Sequence, residues 1–370
     1  MANRVFVLVL TLLPILPSKC WSADFVRQSA TELPVAFDVD VVVAGGSLAG
    51  VEAACAAAER GASVLLVEAR PYLGYDLCGS QRLWIDPDEA PATEITTRLF
   101  GSSNVATPLA VKRALDAALI DHGVMFLTGT FAGELLVRPD GRPAGIVIAN
   151  RSGNQVVRAK VIVDATKNAA IARQAGATFK PFRPGTQEFE ILVVGGTRAE
   201  GVAGREVPGV RYTAGSDSRV KDYPVFQYTL NLDLAADTFG ALSDALNAAR
   251  SAVYHENMED SSEHLVYYPE NTIVPETSVP SPTAGADAVP MGAFRPAGVE
   301  ALYVLSRYAG LERDDMKRLM RPASSAVIGR RVGIDAAKAA GRRSASEDIG
   351  YAGAAAGRTD LAVAAPPMIA

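Results

Sequence analysis

The sequence predicts an α/β protein: a parallel sheet flanked by helices, with an antiparallel β-meander and an inserted smaller α+β domain. Three observations predict it. A β-branched run, Asp38 to Ala44, leads through a glycine-bearing turn into an alanine-rich helix and a second apolar strand, Ser63 to Val67. Short strand-like runs follow between residues 124 and 159, with turn signals at Asp140-Gly141 and Ser152-Gly153-Asn154. Near the C-terminus, Glu300 to Leu305 reads as a further strand and Ser325 to Ala340 as a long helix rich in Gly and Ala, so the chain returns to the sheet after the insertion.

The first unit carries chemistry as well as architecture. In G-x-G-x-x-G register its three sites are Gly45, Ser47 and Gly50, with Gly46, Leu48 and Ala49 between them. Gly61 is placed to end the helix, and Glu68 closes the second strand eighteen residues after Gly50. This order binds an adenine dinucleotide. The helix N-terminus offers free N–H groups and partial positive charge to a pyrophosphate, and the acid takes the ribose hydroxyls. Serine at the middle site departs from the pattern. Its β-carbon crowds the backbone approach slightly, although its hydroxyl can donate to a phosphate oxygen.

The remaining elements follow in order. Residues 108 to 121 have helical periodicity, with Pro108 in the first turn and Gly123 as the stop. Val124 to Thr128, Ala132 to Arg138, Ala144 to Ala149 and Gln155 to Ala159 are read as an antiparallel meander, and Lys160 to Thr166 as the next parallel strand. From Phe182 to Met291 apolar runs (Glu190 to Val194, Val225 to Leu232) alternate with charge and proline, a helix is expected at Phe239 to His255, and residues 256 to 290 read as an exposed loop region. Val193-Val194-Gly195-Gly196-Thr197 is followed by no amphipathic helix, so it is a strand and turn and not a second dinucleotide site. Leu311 to Leu319 is helical. The implied organisation is a binding domain over 36–181 and 292–341, an insertion over 182–291, and a poorly ordered tail over 342–370.

With 370 residues and a net charge of −5, the chain can bury a large core and shows no basic stripe suited to nucleic acid. Met1 to Arg4 is a short positive start, Val5 to Pro17 is apolar, and small residues suit cleavage after Ser22 or Ala23. Residues 1–23 therefore read as a signal peptide, too short in its apolar run to span a bilayer, which needs about 20 apolar residues. The expected location is periplasmic or extracellular, with no stable membrane insertion after cleavage. Cys55 and Cys78 form no C-x-x-C pair, and with His122, His255 and His264 the only histidines, no metal site is expected.

The nucleotide fingerprint, a meander ending in Val163-Asp164-Ala165-Thr166, and a late strand before a small-residue helix together resemble the FAD-dependent oxidoreductases of the glutathione-reductase-like, FAD/NAD(P)-binding type. The resemblance implies a Rossmann-like sheet and FAD as cofactor. It places the phosphates on Gly45, Gly46, Ser47, Leu48, Ala49 and Gly50, the adenosine ribose on Glu68 with the turn Ala69-Arg70, and the adenine by the backbone of Thr130 or Phe131. Ala165 and Thr166 match a second cofactor segment, in which Lys167 and Asn168 replace the usual glycine and acid. Ser306, Arg307, Gly329 and Gly333 match a third, facing the flavin. Some members carry a redox cysteine pair after the acid-ended strand. Here the loop offers Cys78 alone, so disulfide reductase activity is disfavoured, while Arg82 and Trp84 become candidate lining residues.

The expected activity is electron exchange between bound FAD and a small organic substrate. No paired acids or poised histidine single out a catalytic base. Two other readings fit parts of the sequence: an NAD-dependent dehydrogenase using the same fingerprint, and a degenerate binding or structural module without catalysis.

Overall fold

The computed structural model describes residues 32–214 and 221–352. The expected signal peptide and the tail beyond 352 lie outside the described residues. Strand β1 (Val35–Ala44) is followed by helix α1 (Leu48–Glu59) and strand β2 (Val64–Glu68), paired in parallel from Val41↔Val64 to Ala44↔Val67. The βαβ unit stands as expected. Short helices α2 (Tyr75–Cys78) and α3 (Glu94–Phe100) lead to α4 (Pro108–Asp121). The bounds of α4 match the expectation because its signals are local: the Thr107 side chain accepts from Ala110 N–H, proline opens the first turn, and Gly123 follows at φ 67°.

The meander differs from expectation at both ends. β3 (Met125–Thr128) pairs in parallel with β2, as the outer strand of the main sheet, so only β4 (Phe131–Val137), β5 (Pro143–Asn150) and β6 (Gly153–Asp164) form the meander. Gln155 to Ala159 and Lys160 to Asp164 are one strand, β6, with two sets of neighbours. Along one edge its first half pairs antiparallel with β5 up to Arg158, and Ile162 to Asp164 pair in parallel with β12 (Leu302–Val304). Its other edge pairs with β1 over most of its length. The eight-stranded sheet therefore runs β13 (Gly350–Tyr351)-β4-β5-β6-β1-β2-β3, with β12 added on β6.

After α5 (Ala170–Gln174), strands β7 (Gly185–Val194), β8 (Gly204–Ala214) and β9 (Lys221–Leu234) build a second, antiparallel sheet covered by α6 (Phe239–Val253). Gly195 and Gly196 end β7 at φ 80° and 73°, as strand and turn. Of residues 256–290, read as an exposed loop region, most of 274–288 is exposed as expected, but 261–273 turns inward. β10 (Asp260–Ser261) and β11 (Val266–Tyr267) pair along β7, and Ser262, His264, Asn271, Thr272 and Ile273 are buried. An open edge on β7 accepts these short apolar stretches despite their charged flanks.

The last elements are α7 (Arg313–Leu319), α8 (Pro322–Ala340) and β13 (Gly350–Tyr351). β13 pairs with β4, and Arg343 pairs with Glu300 at 3.3 Å. Residues 342–352 are thus structured rather than a loose tail, because the β4 edge has backbone groups to satisfy.

Helix α1 lies against α8, and both cover one face of the main sheet. Glu52 of α1 is fully buried there, accepting from the Thr93 hydroxyl, with Arg330 of α8 at 3.8 Å. Burial pushes its carboxyl up to about 7, with Thr93 and Arg330 offsetting only part of that. The native state therefore holds a proton that the unfolded chain releases above its ordinary carboxylate value, and stability falls as pH rises toward 7. Glu52→Gln should gain stability relative to the parent on going from pH 5 to pH 8, on the order of 2 kcal/mol. Thermal melts at the two pH values check this, and an equal difference at both would refute it.

Candidate cofactor and substrate site

The site begins where β1 ends. Gly45 donates to the Val67 carbonyl at 2.8 Å and holds φ 118°, and a β-carbon there would meet the Ala165 carbonyl at 2.3 Å. Only glycine takes that conformation at that separation. Ser47, the departing residue, is the N-cap of α1: its hydroxyl accepts from Gly50 N–H at 3.1 Å. Its side chain therefore stabilises the helix start instead of standing free for a phosphate.

Glu68 is almost fully buried at the end of β2. One carboxylate oxygen accepts from Gly46 N–H at 2.6 Å and the other from Arg70 N–H at 2.8 Å. Two backbone donors fix its orientation and still leave lone pairs for ribose hydroxyls. Thr130 N–H donates to the Glu68 carbonyl at 2.9 Å, and the Gly129 amide to that of Arg70. The structure thus brings Gly45 to Gly50, Glu68, Ala69, Arg70, Thr130 and Phe131 to one end of the parallel strands, where an α/β sheet holds its ligand. Thr130 is buried, and Phe131 is largely exposed.

The second segment is adjacent. The Ala165 carbonyl abuts Gly45, and Thr166 bonds through its amide and hydroxyl to buried Asp164. In place of the expected glycine, the turn is made by Ala169 at φ 52°. Lys167 is solvent-accessible yet surrounded by protein. Desolvation, then the charges of Arg307 and Arg70, lowers it to about 8.

The third segment divides. Arg307 faces the site, 5.1 Å from the Tyr268 ring, and Ser306 sits beside it, its hydroxyl accepting from Tyr308 N–H at 3.4 Å. Gly329 does not face a cofactor. A β-carbon there would meet the Ala49 carbonyl at 2.3 Å, and one at Gly333 the Ala53 carbonyl at 2.1 Å. Both glycines let α8 approach α1, and it is the N-terminal turn of α8, at Pro322 and Ser325, that reaches the cavity described next.

That cavity, of about 210 Å³, lies between the main sheet and the antiparallel sheet, lined among others by Asp76, Arg82, Glu190, Tyr268, Arg307 and Lys317. Arg82 is a lining residue as expected. Trp84 is not: it is buried in a core with Leu192 and Val225, under the Arg82 guanidinium at 4.3 Å.

Several members of the site carry no motif signal. Asp76 accepts from Leu48 N–H, at the start of α1, at 3.1 and 3.2 Å. Tyr75 carries Arg70 over its ring at 4.0 Å and lies 5.1 Å from the ring of His264. His264 is buried with its Nδ1 unpartnered, and burial, then the charges of Lys167, Arg307 and Arg70, holds it well below its ordinary value and hence neutral. Only the apolar run Leu265-Val266-Tyr267-Tyr268 hinted that this stretch turns inward.

The cradle suits a dinucleotide. Its glycine sites admit no side chain, Glu68 is oriented, and the start of α1 points at the same space. Cys55 and Cys78 are both free and buried, and Cys78 contacts the Pro108 carbonyl rather than the cavity.

Comparison with known proteins agrees with this geometry. The family model described as FAD dependent oxidoreductase matches residues 40–220. Digeranylgeranylglycerophospholipid reductase 2 of Methanothermobacter thermautotrophicus is 31% identical over 169 residues, covering 39% of this chain and 43% of that protein. The chain thus matches less than half the length of this curated relative. Among solved structures, CabE, an aromatic hydroxylase from angucycline biosynthesis, aligns at a TM-score of 0.49 with 16% identity, over 83% of this chain and 64% of that one. A geranylgeranyl bacteriochlorophyll reductase-like protein of Thermoplasma acidophilum aligns at 0.46 with 15% identity, over 83% and 78%. The matched residues, just under half of the chain, contain the whole phosphate cradle, Glu68 and the turn after β6, and over them the chain is similar to the FAD dependent oxidoreductase family.

Proposed function

We propose that the protein is an FAD-dependent oxidoreductase acting on a small polar organic molecule in the cavity beside Arg307. The observation that carries this reading is continuity. Asp76 touches the start of α1 on one side and lines the cavity on the other, so the dinucleotide cradle opens directly onto the cavity. Bound FAD would supply the redox chemistry, exchanging electrons with the substrate.

The chain's own residues bind and orient. Glu68 holds the ribose, and Gly45 to Gly50 leave room for the phosphates. Arg70, Lys167 and Arg307 supply positive charge around a group of high negative charge. The N-terminal turn of α8 brings its partial positive charge to the cavity, which favours negative charge gained on reduction. The lining contains Arg82, Arg205, Arg307, Lys317 and Arg321 against Asp76, Asp86 and Glu190. Such a wall suits a polar or anionic substrate. It gives no support for extending to this chain the lipid in the reductase relative's name.

The match of residues 40–220 to the FAD dependent oxidoreductase model supports this reading over the NAD-dependent dehydrogenase and the module without catalysis. Purified full-length protein should show a flavin absorption spectrum, and anaerobic NADH or NADPH should not bleach it rapidly, since Val193 to Thr197 forms a strand and turn with no helix to receive a second pyrophosphate. Cys78→Ser should leave flavin reduction by substrate intact, because a lone buried thiol cannot cycle through an internal disulfide. Stoichiometric bleaching by either nucleotide would overturn the electron-donor assignment, and failure to retain any flavin would overturn the function.

A further inference from the structure

The N-terminus of α1 is already engaged by this chain's own side chains. Both Asp76 carboxylate oxygens lie within 3.2 Å of Leu48 N–H, the first residue of a 12-residue helix. Gly50 N–H is taken by Ser47 Oγ. A dinucleotide bound in the G-x-G-x-x-G cradle sets a phosphate oxygen against the N–H groups of that first turn, and here an anionic side chain holds that place. Two like charges sharing one donor at hydrogen-bond distance disfavour both remaining ionised.

The surroundings sharpen the conflict. Glu68, at the end of β2, adds negative charge near Asp76, and Arg307, following β12, opposes it. Arg70 beyond β2, Lys167 beyond β6 and neutral His264 lie in the same region, and Arg82, Asp86, Glu190, Arg205, Lys317 and Arg321 line the cavity that Asp76 faces. Burial, before any other effect, pushes the Asp76 carboxyl up to about 6, while Leu48 N–H and Arg307 pull the other way. Asp76 also lines the cavity, so its side chain has space to enter when it leaves the helix.

We infer that Asp76 is a built-in occupant of the cofactor's phosphate position, and that FAD binds by taking Leu48 N–H from it while the Asp76 carboxyl swings toward the cavity and picks up one proton from solvent. The inference rests on the reading that FAD occupies this cradle. It makes cofactor loading proton-linked. Below about pH 6 the carboxyl is already protonated and affinity is flat. Above that value each binding event must draw a proton, and affinity falls by up to about tenfold per pH unit.

The test is a fluorescence titration of the flavin-free, full-length protein with FAD at pH 6.0 and 7.5. Parent affinity should fall roughly tenfold or more between the two. Asp76→Asn keeps an acceptor for Leu48 N–H but carries no charge, so its affinity should be flat and at least tenfold above the parent's at pH 7.5. Lys167 titrates near 8, and Lys167→Gln should keep the parent's slope. Should Asp76→Asn fail to fold, calorimetry of the parent in two buffers of different ionisation enthalpy still decides, because it reads proton uptake directly. A flat parent profile, absence of proton uptake, or the same slope in Asp76→Asn would overturn the inference while leaving the cofactor reading intact. No FAD binding by parent and variant at either pH would overturn both.

Discussion

Gly333→Leu should cost the protein much of its stability. The added β-carbon would stand 2.1 Å from the Ala53 carbonyl oxygen and 2.8 Å from the Ala53 α-carbon. These are backbone atoms in mid-helix, so no flexible side chain can give way. Gly329 makes the same approach one turn earlier, against Ala49, and the two positions form a single ridge along which α8 meets α1. Relief requires the helices to part, which opens the core beneath them, including Val41, Val43, Ile328 and Val332. Overpacking in a well-filled core costs about 1–3 kcal/mol and occasionally more, and a rigid backbone contact belongs at the upper end. A fall in melting temperature of roughly 3–5 °C is expected for a chain of this size. A melt within a degree of the parent's would show that α8 does not depend on this contact.

Gly50→Leu should abolish flavin retention. Its β-carbon would lie 2.3 Å from the Gly45 carbonyl oxygen, forcing the first turn of α1 away from β1 and displacing the N–H groups that face the phosphates. Glu68→Ala is the graded companion. It removes a charged acceptor without disturbing the helix, and weakens binding by about 1.5–3 kcal/mol, roughly 10- to 150-fold. Flavin content after gel filtration, read beside a melt to show that each variant is folded, separates the cases. If both folded variants kept the parent's flavin content, the cradle would lie elsewhere.

Much of this site was legible because its signals are local. The strand, turn, helix and acid from Asp38 to Glu68 lie within one stretch, and α4 announces both its ends. Long-range features were not. β6 looks like two strands in sequence because nothing in Gln155 to Asp164 says that one edge changes partner midway. Gly329 was misread for a different reason: small residues four apart are equally what a ligand-facing turn and a close helix crossing require, and only the distance to Ala49 decides between them. Trp84, placed by proximity to the loop, follows the apolar drive of a large ring into the core. Asp76 and His264, 188 residues apart in sequence, meet around Tyr75 through the pairing of β10 and β11 with β7, a contact that charge-rich flanks concealed.

The divided edge of β6 also sets the order in which the molecule can be completed. Ile162 to Asp164 find their second neighbour only in Leu302 to Val304, so about 140 residues, the whole antiparallel sheet among them, must be made before that half-edge is closed. At a synthesis rate of roughly 5–20 residues per second this is about 7–28 s, during which three buried positions of the cofactor-bearing sheet show unpaired backbone to whatever is near. Chains halted short of residue 304 should therefore be the sticky ones, whatever the state of the fully formed βαβ unit at their start.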